Sequence, residues 1–240
     1  MEIRDTQDLT KPPAVLLLDA AGTLIQPGEP VGLTYSRLAG AHGIELDPVA
    51  AGAAFAAVWR RWPPPRRTAP LPAPDDDRDW WRSLVAEVFA EAGASPGDWR
   101  RRFQGCFEEL FEWFGQGAAW RLFADAAEAL DRWRHGPRLL VVSNFDRRLR
   151  RVLAGLGVAD RFEQVILSSE VGACKPDPEV FEAALRAVGA QAADCLHVGD
   201  DPQRDVAGAI AAGLRVYRVQ RPGSDLVRLA DWLERTAHRG

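Results

Sequence analysis

Polar side chains stand where apolar runs end in this 240-residue chain. Asp19 follows Ala14–Leu18, Ser143 and Asn144 follow Leu139–Val142, and Asp200 follows Cys195–Val198 across Gly199. Lys175 lies in the loop after a fourth run, Gln164–Leu167. Carboxylates, a hydroxyl and a lysine gathered in one pocket would offer acid–base, nucleophilic or cation-binding chemistry. Taken singly, a strand-ending Asp is more commonly a helix cap or turn former than a catalytic group. What sets this group apart is that its members recur at successive strand ends, where open α/β sheets bind their ligands.

The elements that must position these residues alternate. The four runs and a fifth, Leu214–Val219, are continuously apolar, which predicts strands covered on both faces, as in a parallel sheet. Helical periodicity separates them over Ala126–Arg134, Arg147–Leu156, Pro178–Val188, Pro202–Ala212 and Leu226–Arg235. Asp177-Pro178 and Asp201-Pro202 each place a capping carboxylate before a proline suited to the first helical position. The order predicts an α/β fold, a doubly wound, Rossmann-like parallel sheet.

Residues from about Gln26 to Ala118 break the rhythm. Apolar positions near Val49–Trp59, Trp80–Ala92 and Trp99–Phe114 predict helices, and seven of the nine tryptophans fall between Trp59 and Trp120. Six prolines between Pro63 and Pro74 exclude a helix interior there. The expected organisation is a core from residues 1–25 and 119–240, with a helical cap inserted over 26–118. The tryptophans are expected to pack that insertion.

Composition narrows the function classes. A net charge of −4 and no basic block argue against nucleic acid as partner. The N-terminus, MEIRDTQDLTKPP, has no apolar stretch of signal-peptide length, and no run is long enough to span a bilayer. Cys106, Cys174 and Cys195 are widely spaced and form no disulfide or metal pattern. A cytoplasmic location is expected. His42, His135, His197 and His238 lack the paired spacing of a zinc set. Arg147, Arg148, Arg150 and Arg151 read as a solvated helix face.

Four ordered strings carry a resemblance: LLLDAAGTL (16–24), VVSN (141–144), CKPDP (174–178) and HVGDDPQRD (197–205). With them the chain resembles the haloacid dehalogenase superfamily, mostly magnesium-dependent phosphohydrolases, over about Ala14 to Val219. The insertion directly after the first motif matches that family's helical cap. The resemblance implies that Asp19 is the nucleophile and forms an aspartyl-phosphate. It implies that Ser143 and Asn144 bind the phosphoryl group, and that Lys175 neutralises both Asp19 and the phosphate. Mg²⁺ would be held by Asp19, the backbone carbonyl of Ala21, Asp200 and Asp205. A hard dication relieves the repulsion among such carboxylates. Of thirty Lys and Arg residues, only Lys11 and Lys175 are lysines, so a compact point charge stands out at 175.

One position departs from the family. Its phosphatases carry a second Asp, the general acid, where this chain has Ala21. That loss removes a proton donor and matters least for acyl or aryl phosphates. Four readings follow: a phosphohydrolase using another donor, a water or a good leaving group; a dehalogenase, against which the acidic HVGDDPQRD argues; a phosphonoacetaldehyde hydrolase, which needs a cap lysine that this chain lacks; or a binding protein without turnover. His197 is a substitute acid only on a remote reading, and a buried, hydrogen-bonded histidine is the simpler one. The expected partner is a phosphorylated small molecule, bound by a monomer or homodimer.

Overall fold

The computed structural model describes residues 2–3, 11–65, 77–221, 223 and 225–237. Most of the proline-rich stretch, and His238, lie outside them. The strands are β1 (Glu2–Ile3), β2 (Val15–Leu18), β3 (Ile25–Pro27), β4 (Trp120–Leu122), β5 (Arg138–Ser143), β6 (Gln164–Leu167), β7 (Cys195–Gly199) and β8 (Arg215–Arg218). The α-helices are α1 (Val31–Ala41), α2 (Pro48–Arg61), α3 (Arg78–Glu91), α4 (Phe103–Trp113), α5 (Ala124–Arg132), α6 (Arg148–Gly155), α7 (Ser168–Val171), α8 (Pro178–Val188), α9 (Gly208–Ala211) and α10 (Asp225–Ala237). The chain divides into two compact units. One draws on Met1–Gln26 and Leu122–Gly240, the other on Pro27–Arg66 and Asp76–Arg121.

The first unit is an α/β sheet of order β1-β8-β7-β2-β5-β6, every neighbouring pair parallel. β2 lies between β7 and β5, and all four of its residues are buried, as its unbroken apolar run requires. Side chains alternate across the sheet, so Val15, Leu17, Leu140, Val142 and Val216 share one face. They pack there with Val180, Phe181 and Ala184 of α8 and Ala209 of α9. Each of the five expected strands is present. β1 is an addition: two residues at an edge carry no readable periodicity.

Two of the expected helix starts are capped as their sequences dictate. Asp177 accepts from the amide of Glu179, and Asp201 accepts from Gln203 and Arg204. The helix expected over Pro202–Ala212 differs in kind. It opens as a π-helix over Pro202–Ala207 and becomes α-helical only at Gly208. Val206 N donates to Asp201 O, five residues back, which widens the turn.

In the second unit, α1 to α4 enclose an aromatic core including Tyr35, Phe89, Phe103 and Phe107. Trp99 is buried, and Trp59 stacks on both Phe55 and Trp81, so these rings pack the unit. α1 went unread in the sequence because Gly32 and Gly40 weaken its propensity. Packing rescues it. A Cβ on Gly32 would lie 2.0 Å from the carbonyl oxygen of Pro48 and 2.6 Å from the amide nitrogen of Gly52, so only glycine allows α1 to meet α2. Among the described residues, no helix is long and apolar enough to cross a membrane.

The arginine run at 147–151 needs one correction. Arg147, Arg150 and Arg151 are exposed, but Arg148 is buried. Its guanidinium forks onto Asp146, itself buried, at 2.9 and 2.8 Å. A planar, two-pronged partner in the same turn satisfies the charge, which a periodicity reading does not register.

Candidate active site

The first unit brings most of the sequence-predicted residues to the carboxyl ends of its central strands. Asp19 leaves β2 with its amide donating to Val198 O of β7 at 2.9 Å. The chain then folds back sharply: Leu24 and Ile25 both donate to Ala20 O, at 2.8 and 2.9 Å. Gly22 takes φ 99°, and a Cβ there would lie 2.7 Å from Asp200 Oδ1. Thr23, in the same turn, donates its hydroxyl to that oxygen at 3.1 Å. Ala21 is exposed on this turn. Ser143 ends β5, buried, with Asn144 beside it.

Lys175 joins two carboxylates. Its Nζ lies 2.6 Å from Asp19 Oδ1 and 2.6 Å from Asp205 Oδ1, in a setting where the lysine is only 3% exposed. The Asn144 side chain holds the lysine's main chain from both sides. Its Nδ2 donates to Lys175 O at 2.9 Å, and Lys175 N donates to its Oδ1 at 2.7 Å. Both ends of that amide are therefore engaged by Lys175. The following residue, Pro176, meets Gly208 so closely that a Cβ at 208 would lie 2.7 Å from the Pro176 Cα.

Asp205 is the most heavily engaged of the acids. Oδ1 accepts from Lys175 and from His197 Nε2 at 3.0 Å, and Oδ2 accepts from the amide of Asp201 at 3.0 Å. A carboxylate only accepts, so the imidazole donates through Nε2. His197 is fully buried with its ring edge-on to Phe181, which makes it a support for Asp205. Gly199 leaves room for this arrangement: a Cβ there would lie 2.3 Å from the Asp205 Cγ.

The charges do not balance. One oxygen from each of Asp19, Asp200 and Asp205 lies within 4.8 Å of the others. Against three carboxylates stands one lysine, because burial pushes the His197 pKa down and keeps the ring neutral. Burial raises the Asp19 pKa to about 7, helped by Asp205 and Asp200 and opposed by Lys175. Burial and then Asp205 also raise Asp200. Burial opposes ionisation of Asp205, but Lys175 and the bond from His197 outweigh it and hold that acid below the usual carboxylate range. Burial likewise disfavours the Lys175 charge, and its two carboxylates more than restore it. This surplus of oxygen donors and negative charge fits a hard divalent cation. Asp205 has both oxygens occupied by protein donors, which suits it to supporting such an ion's site.

The sequence reading missed Thr23 and Gly199 as working parts. Both sit inside the quoted motifs, where a hydroxyl two places from Ala21 and a glycine before an acidic loop were the available signals. The holds that Asn144 and His197 exert needed three dimensions.

Comparison with known proteins identifies the family and the fold. The family described as haloacid dehalogenase-like hydrolase matches residues 13–213. The chain is 34% identical over 209 residues to haloacid dehalogenase-like hydrolase domain-containing protein 3 of Bos taurus, covering 87% of this chain and 82% of that one. It is 34% identical over 171 residues to a phosphoserine phosphatase of Thermus thermophilus, covering 70% and 64%. Its fold is shared with the magnesium-bound HAD-hydrolase YfnB of Bacillus subtilis, at a TM-score of 0.66, 17% identity, and coverage of 93% and 99%. Family match, relatives and fold lead to one conclusion: the chain belongs to the haloacid dehalogenase-like hydrolases.

Proposed function

We propose that the protein is a Mg²⁺-dependent phosphohydrolase that works through an aspartyl-phosphate on Asp19 and favours substrates with good leaving groups. The observation that carries this reading is Lys175 Nζ, shared at 2.6 Å between Asp19 and Asp205 beside Asp200. Asp19 and Asp200, with the carbonyl of Ala21, would hold the ion, and Asp205 would support it. When bound, Mg²⁺ supplies positive charge that keeps Asp19 ionised and offsets the phosphate's own charge. Likeness to phosphatases of the family adds to the reading.

The chain's residues then divide the work. Lys175 stabilises the Asp19 carboxylate and the incoming phosphoryl oxygens. Ser143 hydrogen-bonds a phosphoryl oxygen, and Asn144 serves by fixing Lys175. An Asp19 oxygen attacks phosphorus, the bond to the leaving group breaks, and the leaving group departs with the electron pair. Water then attacks phosphorus, the acyl-phosphate P–O bond breaks, and phosphate leaves with the water's proton passing to phosphate or solvent. Ala21 has no proton to give in the first step, so a carboxylate or phenolate leaving group suits the site better than a sugar alkoxide. The helical insertion acts as the cap that selects the substrate.

Phosphate release from an acyl, an aryl and a sugar phosphate, each with Mg²⁺ and with chelator, tests this. Mg²⁺-dependent release that falls in that order is expected. No release from any of the three, or Mg²⁺-independent chloride release from a 2-chloro acid, overturns it.

A further inference from the structure

We propose that Arg221, outside all four motifs, is a positioning residue that clamps the Asp19–Ile25 turn. Its guanidinium gathers three segments. Nη2 donates to Thr23 O at 2.6 Å, and Nη1 donates to Asp125 Oδ1 at 2.5 Å and to Gly223 O at 3.0 Å. The plane lies over the Phe123 ring, 3.9 Å from guanidinium carbon to centroid. Asp125 is buried at the start of α5, and its other oxygen accepts from Leu226 N in the first turn of α10. Phe123 N in turn donates to Leu24 O.

The residue held by this fork is the one that matters to the acidic centre. Thr23 gives its carbonyl to Arg221 and its hydroxyl to Asp200. Most of the turn's backbone bonds are internal, closing on Ala20 O and Ile25 O. From outside, Asp19 N reaches Val198 O and Phe123 N reaches Leu24 O, and among the described residues Arg221 alone holds the Thr23 carbonyl. Gly22 is conformationally permissive, and Ala21 is exposed. Fixing the Thr23 peptide therefore fixes the approach of Asp200 to Asp19. The role needs a guanidinium: a lysine cannot reach a carbonyl and a carboxylate in one plane while stacking on Phe123. Arg221 touches none of the site carboxylates, so its effect on turnover runs through Thr23 and rests on the phosphohydrolase reading. Its effect on the turn does not.

The experiment compares wild type, Arg221→Met, Arg221→Lys, Thr23→Val and the double variant Thr23→Val/Arg221→Met. Hydrogen exchange over residues 19–25, thermal melting, and kcat and KM on an aryl phosphate are measured. In Arg221→Met, exchange over 19–25 should rise about tenfold or more, while α8 keeps its protection. Arg221→Lys should show a smaller rise, and it carries the test alone where the Met variant does not fold. Turnover should fall about tenfold or more with KM within about threefold, since small displacements at a site cost rate. The double variant should lose less than the product of the single losses, because both act through one residue. Unchanged exchange over 19–25 in folded variants overturns the proposal, as does a kcat loss that is fully multiplicative with Thr23→Val. If wild type releases no phosphate, the phosphohydrolase reading fails and the exchange result alone decides the clamp.

Discussion

The two units bury different things. Among the described residues, the helical unit buries only Thr34 and Asp77 as polar or charged side chains, and otherwise encloses rings and aliphatic groups. The sheet unit buries Asp19, Lys175, His197 and Asp205 in contact with one another, and Arg148 against Asp146. An aromatic core gains from area removed from water. A buried cluster of charges gains little net stability and is retained for what it can do. Both units bury an apolar core, and the sheet unit adds the charged cluster to its own, so stability is drawn from both units while the candidate chemistry is confined to one.

The strongest way to break that contrast is to neutralise the nucleophile. Asp19→Asn should lower Mg²⁺-dependent phosphate release by three orders of magnitude or more, roughly the loss seen when a covalent nucleophile is removed. The melting temperature should hold or rise, because an acid is taken out of an over-acidic centre. Undiminished turnover removes Asp19 as nucleophile, and collapse of the fold would mean that the cluster is structural. Restoring the missing acid sharpens the contrast from the other side. Ala21→Asp should raise turnover of a sugar phosphate by about 10²–10⁴-fold, the usual worth of general acid–base help. Ala21 is exposed, so the new carboxylate need not be desolvated. No gain would show that something other than the proton donor limits the rate.

The smallest and most discriminating pair sets Lys175→Met against Phe107→Ala. Each should cost about 3–5 kcal/mol of stability, the first by stranding buried carboxylates and the second by opening a cavity. Urea unfolding with and without Mg²⁺ separates them. Added Mg²⁺ should recover a large part of the Lys175→Met loss by binding the folded state, and no more of the Phe107→Ala loss than it adds to wild type. Equal responses would erase the distinction between the units.

Much of the sheet was legible because a buried parallel strand is written in consecutive apolar residues. Val15–Leu18 and Cys195–Gly199 differ from their predicted limits by one residue each. The helix caps were legible because Asp-Pro is a local signal. What escaped was settled by partners distant in sequence. α1 exists because Gly32 fits against α2, Arg148 is buried because Asp146 receives it, and the Arg221 clamp joins residues almost two hundred positions apart. In the site, Asp19 and Lys175 meet across the end of β5, which lies between β2 and β6 and whose Asn144 holds the Lys175 main chain. The sharing of Lys175 between two acids, and the occupation of Asp205 by His197 and Asp201, carry no signature in the chain.

Gly199 gives this centre an unusual mutational sensitivity. A methyl group placed there would compete for volume with the Asp205 carboxylate, which lies inside the space a Cβ needs. Pushing that carboxylate aside would release Lys175 to Asp19 alone and leave His197 without its acceptor. A change that adds no charge would therefore redistribute protons across four residues. At the end of β7, shape and ionisation are inherited together.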